Sequence, residues 1–460
     1  MDQLPDDVLV EVMQHLAVPD LFALRLVCKR LRDLALHRDV WRLRTLKEKN
    51  PWTCTVLRLA PCLRKMALVL PLERCHVPYT TKCAVADLEL RVNRAGSPHA
   101  AFVIRNQEAL GRLRRVSVNI QYASYSGLTV LLGALASTAG LKKLELPTMD
   151  WIERSLMGPV VRHPRPVSTA SLEIFRGSPN LAYEPFCSCI LTGHSATLQV
   201  VYLDVWNVDT SFGASLAPLM AHMPNLRELH SPLLPGMDAL AACASLRDVS
   251  FELTSATQAV LLAAAEFFRR ATRLRDVYLN CEKADSDDVP GVVGVNLALA
   301  LASSGKSRVQ DLTLYNANVE DAVDCHHQQL LGALPQLPAL RYLRLDGPPE
   351  AVLAAISPAA APALRTLVLR PCPEIRCGHA WLHSDPVRAA LTANPLLHIQ
   401  VFTPSESECV LSKPCETCAL GCHPELLYAE LLCFFSHDPE MECSNEHDVT
   451  GGCVWIHIPH

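Results

Sequence analysis

The stretch Leu141-Lys-Lys-Leu144-Glu-Leu146 sets the fold. Leu144 and Leu146 alternate with polar residues, so they form a short strand with one buried face. The same L-x-x-L-x-L pattern recurs on both sides. It reads Val85-Ala-Asp-Leu88-Glu-Leu90 and Leu113-Arg-Arg-Val116-Ser-Val118 upstream, and Leu198-Gln-Val-Val201-Tyr-Leu203 and Leu274-Arg-Asp-Val277-Tyr-Leu279 downstream. Val309 to Leu314, Leu340 to Leu345 and Leu364 to Leu369 continue it. The central apolar residues fall at 88, 116, 144, 172, 201, 229, 249, 277, 312, 343, 367 and 399, with weaker copies at 172, 229, 249 and 399. The first five steps are 28, 28, 28, 29 and 28 residues, a spacing that predicts one supersecondary unit stacked on itself. Between the strands, Leu128, Leu131, Leu132 and Leu135, and again Leu261, Leu262, Ala265 and Phe268, have helical spacing.

A strand plus a helix in so few residues cannot bury its own apolar face, and stacked neighbours supply the rest of the core. The pattern resembles the leucine-rich-repeat family over residues 81–405. That resemblance implies an α/β repeat solenoid of about twelve strand–helix units, an irregular horseshoe with strands lining a concave wall. The asparagine or cysteine usual five residues after the central leucine is mostly missing. Asn93 and Cys372 fit; Gln121, Met149, Trp206, Glu282, Ala317 and Pro348 stand elsewhere.

Ahead of the repeats lies a different segment. Pro5 suits a first helical turn, followed by Asp6 and Asp7 at the positive helix end. Val8, Leu9, Val12 and Leu16 form an apolar stripe. Asp20 is a candidate N-cap, and Leu21, Leu24, Val27, Leu31 and Leu34 predict a second helix before Trp41. One reading is a helical cap for the solenoid. Yet about forty residues cannot hide this many apolar side chains, and the surplus predicts a partner.

Position by position, Leu4-Pro5-x-Asp7-Val8-Leu9, Leu16, Asp20-Leu21, Leu24, Val27-Cys28-Lys29-x-Leu31 and Trp41 resemble the F-box motif. Position 31, often aromatic in that family, is leucine here. The resemblance implies binding to the Skp adaptor and, through it, to the cullin and RING subunits of an SCF-type ubiquitin ligase. Leu4, Pro5, Val8, Leu9, Leu16, Leu21, Leu24 and Val27 would then form the adaptor interface or the small core behind it, with Trp41 as aromatic anchor. The layout expected is an all-α F-box at 1–45, a linker or N-terminal cap at 46–80, the solenoid at 81–405 and a cysteine-rich cap or tail at 406–460.

Residues flanking each central leucine point to the opposite side, onto the open wall. The repeats centred at 172 to 312 place Glu173, Asp204, Glu228, Asp248, Glu252, Asp276 and Asp311 there, with Tyr202, Tyr278 and Tyr315 and no Lys or Arg. Such a surface suits a basic peptide, with Tyr202, Asp204, Glu252, Asp276, Tyr278 and Tyr315 the candidate contacts. Alternatively Arg227, Arg247 and Arg275, one residue before an acid in each case, simply neutralise it.

With 42 basic and 47 acidic residues the net charge is −5, against a nucleic-acid or anionic-membrane binder. Asp2, Asp6, Asp7 and Glu11 preclude an apolar signal core in the first 18 residues, so the expected location is cytoplasmic or nuclear. The 19 cysteines are then mostly reduced thiols. Seven lie between Cys409 and Cys453. Cys415-x2-Cys418 and Cys443-x3-His447 have a spacing that would suit a structural zinc, although buried free cysteine is the commoner outcome. Cys372, Cys377, His379 and His383 form a looser group. Leu426, Leu427, Leu431, Leu432, Phe434 and Phe435 suggest a packed helix between the tail cysteines.

No other cofactor is called for. Gly193-His-Ser195-Ala-Thr197 only partly resembles a nucleophile elbow, because it lacks the final glycine. The expected function is a non-catalytic substrate receptor of the ubiquitin conjugation pathway. The alternatives are a non-degradative scaffold and, more remotely, an enzyme with a catalytic cysteine in the tail.

Overall fold

The computed structural model describes residues 4–48, 50–72, 76–93, 95–121, 125–147, 170–177, 184–203, 215–253, 256–281, 290–315, 324–346, 349–370, 382, 384–402, 416–421, 431–438 and 453–458. The chain divides into two units, Met1–Leu226 and Arg227–His460.

The first unit opens with four short helices, α1 (Asp6–His15), α2 (Val18–Leu24), α3 (Lys29–Leu34) and α4 (Arg38–Trp41). Seven strands follow: β1 (Thr45–Leu46), β2 (Cys62–Leu70), β3 (Ala84–Val92), β4 (Arg115–Ile120), β5 (Lys143–Glu145), β6 (Ile174–Gly177) and β7 (Val200–Leu203). Each is parallel to the next. Helices α5 (Thr53–Leu59), α6 (Ser97–Ala109), α7 (Tyr125–Ser137) and α8 (Glu184–Gly193) connect them, and α9 (Leu216–Ala221) follows the last strand. Met66, Leu88, Val116, Leu144, Phe175 and Val201 stand in register on adjacent strands and are all buried, so they form one row of the core.

The second unit repeats this plan with β8 (Glu228–Pro232), β9 (Asp248–Glu252), β10 (Asp276–Asn280), β11 (Asp311–Tyr315), β12 (Tyr342–Asp346), β13 (Thr366–Arg370) and β14 (His398–Phe402), all parallel. Its helices are α10 (Gln258–Arg270), α11 (Pro290–Ala302), α12 (Asp324–Ala333), α13 (Pro349–Ala355) and α14 (Asp385–Ala393). Phe251 of β9 meets Phe267 and Phe268 of α10 edge-on, at 5.9 Å each, which fixes that helix on the sheet. The chain is thus a small helical region followed by a repeated strand–helix arrangement with long parallel sheet runs. Among the described residues no helix is long and apolar enough to cross a membrane.

Four sequence expectations need correction. The weak repeat centred at Leu172 is out of frame: Phe175, not Leu172, is the register partner of Leu144 and Val201. The unit reads Leu172-Glu-Ile-Phe175-Arg-Gly177, with Phe and Gly where leucines stand elsewhere. A Cβ on Gly177 would lie 2.7 Å from Cζ of Phe175, so the small residue makes room for the large one. Gly177→Ala is expected to destabilise the first unit by ~1–3 kcal/mol through overpacking. Denaturant unfolding checks it, and pairing with Phe175→Leu should recover most of the loss.

Second, the repeat pattern does not wait until residue 81. Leu63-Arg-Lys-Met66-Ala-Leu68 pairs with Val85, Leu88 and Leu90, so β2 lies inside the segment expected to be a linker or N-terminal cap. Third, Leu431, Leu432, Phe434 and Phe435 belong to a strand rather than a packed helix. This strand, β15 (Leu431–Phe435), runs antiparallel to β14 and parallel to β16 (Cys453–His457). Fourth, the second N-terminal helix is two helices. Cys28 is extended, with its Sγ accepting from Leu31 N at 3.5 Å, and separates α2 from α3. Asp20 lies in the first turn of α2 rather than at its N-cap, which is Ala17.

The segments leading into the strands are tied down from the helices. Gln107 of α6 accepts from Val85 N (2.9 Å) and donates to Cys83 O (3.1 Å), and Asn106 donates to Thr81 O (3.0 Å). His194 after α8 does the same work, its Nδ1 accepting from Ser171 N (3.1 Å) and Leu172 N (3.3 Å). Burial lowers the basicity of His194, which suits a neutral acceptor. The Gly193–Thr197 segment therefore turns the chain from helix to strand.

Candidate functional site

The helical region sorts its apolar residues onto two faces. Leu9, Val10 and Met13 of α1, Leu21 of α2, Leu31 of α3 and Val40 and Trp41 of α4 are buried. Val8 and Val12, four residues apart on α1, remain exposed, as do Leu4 before it and Leu26 and Val27 after α2. Leu26 is 87% exposed and Val27 67%, far beyond what a leucine or valine in a finished core shows. Arg30 clamps the two exposed segments together. Its Nε donates to Asp6 Oδ1 (2.8 Å) and its Nη2 to Leu4 O (2.5 Å), so the start of α3 is tied to the start of α1.

Within the candidate set, Leu4, Pro5, Val8 and Val27 are thus solvent-facing, Leu16 and Leu24 are half-buried, and Leu9 and Leu21 lie in the core behind. Trp41 is a correction. It is fully buried, its Nε1 donates to Ala35 O at 2.7 Å, and Arg44 lies over its ring at 5.5 Å. An indole engaged in this way is the centre of the small core and presents no surface to a partner. Sequence reasoning passed over Leu26, Val12 and Leu43 as contacts, all exposed. The signal for Val12 was helical phase, since it shares a face with Val8 and not with Leu9 and Met13.

Residues 1–47 match the F-box-like family. The match spans the four helices and the first strand. Domains of this family in general bind adaptors of the Skp type. No curated protein matches the chain.

The second unit carries the other candidate surface, on the sheet face away from the helices. Glu228, Asp248, Asp276 and Asp311 are register partners on β8, β9, β10 and β11, so four carboxyl groups stand in one row. Strands lie ~4.8 Å apart, so these groups are near neighbours. With His230, Ser250, Tyr278 and Thr313 they line a depression of about 350 Å³. Burial, then the hydrogen bond and charge of Asp276, then the charge of Glu228, push the Asp248 carboxyl up to about 6, against a smaller opposing pull from Arg275. Burial and Asp276 likewise push Asp311 up to about 6, opposed by Arg341.

Neutralisation by the preceding arginines is thus incomplete. Arg247 turns instead to the carbonyls of Ala244 (2.9 Å) and Leu246 (2.8 Å). Among the described residues no ion pair joins Arg227, Arg247 or Arg275 to Asp248, Asp276 or Asp311.

The remaining candidates scatter. Asp276 and Tyr278 share the depression, and Glu252 sits at the far end of β9 in register with Asn280. Tyr315 belongs to an arginine cluster described below. Tyr202 lies in the first unit, beneath the guanidinium of Arg176 at 5.8 Å. Arg176 is a second correction to the expected acid-only row, since the frame shift puts it, and not Glu173, on the open face. Glu173 pairs instead with Lys142 Nζ at 2.6 Å. Asp204 lies outside the described residues.

So do Cys415, Cys443 and His447 of the candidate zinc set, and Cys372, Cys377, His379 and His383. Cys418 falls in the short helix Glu416–Ala419, and its side chain is not described. Among the described residues no group of three or more His, Cys, Asp or Glu is arranged to hold a metal ion. Eight described cysteines are free thiols, five of them distributed through the repeats and buried; Cys54 is disulfide-bonded. Burial pushes the thiols of Cys83, Cys187 and Cys281 up to about 12, so they are packing residues rather than nucleophiles.

The acid row predicts a pH dependence. Asp248 and Asp311 hold their protons in the fold between the ordinary 3.8 and about 6, where the unfolded chain has lost them. The fold then binds more protons than the unfolded chain, so stability rises as pH falls through that window and is lost as pH rises. The groups are partly exposed and solvent screening reduces the effect. Asp276→Asn removes the central charge and should raise the melting temperature of the chain at about pH 7.5, with a smaller gain at about pH 5. Thermal unfolding at the two pH values checks it; an equal gain at both would mean the row carries no charge strain.

Proposed function

We propose that the chain is a non-catalytic substrate-recognition subunit of an SCF-type ubiquitin ligase. The helical region holds the Skp adaptor, and through it the cullin and RING subunits, while the repeats hold a target protein. Ubiquitin transfer then depends on bringing the target near the conjugating enzyme, with no chemistry from this chain and no cofactor. The observation that carries the reading is the apolar face of Leu4, Val8, Val12, Leu26 and Val27 left in solvent on a region that matches the F-box-like family. Exposed apolar side chains in this number on so small a region cost solubility unless another polypeptide covers them.

The test has two arms. Purified full-length chain should co-elute with purified Skp adaptor, and a chain lacking residues 1–47 should not. In cells, proteins that bind the repeats should accumulate when the truncated chain is expressed, and should accumulate likewise under proteasome inhibition. Adaptor capture without any such accumulation would favour a non-degradative scaffold. Absence of adaptor capture removes the ligase reading altogether.

A further inference from the structure

The second unit carries a row of arginines at the edge where its strands begin. Arg227, Arg247, Arg275, Arg341 and Arg365 each stand one residue before a strand, ahead of β8, β9, β10, β12 and β13, and Gln310 takes that place before β11. The row is continuous along the main chain. Arg247 N donates to Arg227 O (2.9 Å), Arg275 N to Arg247 O (2.7 Å), Gln310 N to Arg275 O (2.7 Å), Arg341 N to Gln310 O (2.7 Å) and Arg365 N to Arg341 O (2.8 Å). Strands ~4.8 Å apart make the row from β8 to β13 about 24 Å long. The segments that end at these positions, 222–227, 242–247, 270–275, 305–310, 336–341 and 360–365, carry nine Lys or Arg and not one Asp or Glu. Lys306 and Arg308 supply the charge that Gln310 lacks. In a chain of net charge −5 this edge is basic throughout.

The fold does not need most of these guanidinium groups. Arg114 and Arg247 show the structural use of the position, each donating from Nη1 to two carbonyls of its own loop. Lys142, at the same position in the first unit, pairs with Glu173. On the open face Arg344 and Arg370 are engaged by rings: each lies 5.3 Å from the ring centroid of Tyr315, and Arg344 lies 4.7 Å from that of Phe402. Arg227, Arg275, Arg341 and Arg365 do none of this. All four are exposed, and among the described residues none of them makes a side-chain hydrogen bond, an ion pair or a ring contact. Arg275 and Arg341 act on the carboxyls of Asp248 and Asp311 through space without pairing to them. Like charges on neighbouring strands repel, and an anion laid along the row relieves that repulsion.

The chemistry of the edge selects among anions. Every cation in the row itself is arginine, whose planar fork takes a carboxylate through two parallel hydrogen bonds. No Phe, Tyr or Trp stands in the six segments, so the bases of a single-stranded nucleic acid would find no stacking platform there. None of the large exposed apolar side chains lies in them either, so nothing anchors the edge in a bilayer. We propose that the arginine row before β8 to β13 is a docking edge for an acidic segment of a partner protein, whose Asp and Glu carboxylates sit on successive guanidinium groups. A row of about 24 Å matches about seven residues of extended chain at ~3.3 Å per residue. Acidic runs of that length belong to unstructured tails and loops, which can lie along a straight edge.

The inference goes beyond the ligase reading and does not depend on it. Its test uses the full-length chain and a fluorescein-labelled octapeptide of glutamate. By fluorescence anisotropy that peptide should bind at least about tenfold more tightly than an octapeptide alternating Glu and Lys. Arg275→Gln/Arg341→Gln/Arg365→Gln should weaken the glutamate peptide about tenfold. Arg32→Gln/Arg58→Gln/Arg388→Gln removes three exposed arginines away from the row and the same net charge, and should weaken it less than about twofold. Arg275→Lys/Arg341→Lys/Arg365→Lys keeps the charge and the stems but loses the fork, and should fall in between. It carries the comparison if the glutamine variant melts early. No binding of the glutamate peptide to the wild type, unchanged binding in both row variants, or an equal loss in the variant away from the row would overturn the docking edge. An eight-nucleotide single-stranded RNA bound more tightly than the glutamate peptide would overturn the assignment to a polypeptide. Adaptor capture, measured on the same preparation, decides the ligase reading separately.

Discussion

Val8→Glu/Val27→Glu is expected to abolish capture of the Skp adaptor, weakening it at least about a hundredfold. Val8 is 38% exposed and Val27 67%, so neither holds the core, and their replacement by Glu should leave the melting temperature nearly unchanged. At an interface the same change is severe, because a carboxylate must be desolvated where an apolar side chain was covered. Two such sites at ~1.4 kcal/mol or more each give the quoted factor. Leu262→Glu on α10 is the control: that leucine is 58% exposed, on the second unit, and its replacement should not affect capture. Isothermal titration of purified full-length chain with purified adaptor decides it. If the double variant binds as wild type does, the exposed face is not the docking surface.

The repeats were legible because their signal is local and redundant. Leu144 states the pattern, and Leu88, Val116, Val277, Leu312, Leu343 and Leu367 restate it, each in register with its counterpart on a neighbouring strand of its own unit, as Val201 is with Phe175. The one misread frame, at Leu172, arose where the core compensates between neighbours. Phe175 fills the volume that Gly177 gives up, so both leucine positions were disguised at once. The strand β2 was missed because Met66 stands where most of the other units carry leucine or valine, although it is equally buried.

The candidate surfaces were harder to read. Apolar periodicity separates helix faces but does not say which face another segment of the same chain covers. Hence Leu9 and Val8, adjacent in sequence, fall on opposite sides of the question. The acid row was visible as alternate positions, whereas Arg247 turns to carbonyls of its own loop and Arg344 to rings brought in from other strands. Tyr315 was read, beside the acids, as a contact for a basic peptide, and its ring is already met by two arginines of the same chain.

Trp41→Ala carries the largest expected effect on stability, and its logic reverses what the bare motif suggests. The indole is buried without remainder, packs at 6.1 Å from the ring of Phe22, and has its N–H on Ala35 O. Arg44 covers its other side. That arginine donates from Nε to Val40 O (2.7 Å) and from Nη2 to Met13 O (2.8 Å) and Gln14 O (3.1 Å), which ties the end of α1 to α4. Burial disfavours the charged guanidinium of Arg44, so its place depends on these carbonyls and on the ring beneath it. Removing the indole leaves a cavity worth ~3–5 kcal/mol and orphans Ala35 O at ~1 kcal/mol more. A small helical region does not have that much to spare, since whole domains hold only ~5–15 kcal/mol. The helices should therefore open first, seen as proteolysis within the first 45 residues while the repeats stay resistant, and adaptor capture should fail with them. Trp41→Phe keeps most of the apolar volume and loses the N–H. It should cost ~1 kcal/mol and still capture the adaptor. A Trp41→Ala chain that resists protease like wild type yet no longer binds the adaptor would instead make the indole a direct contact.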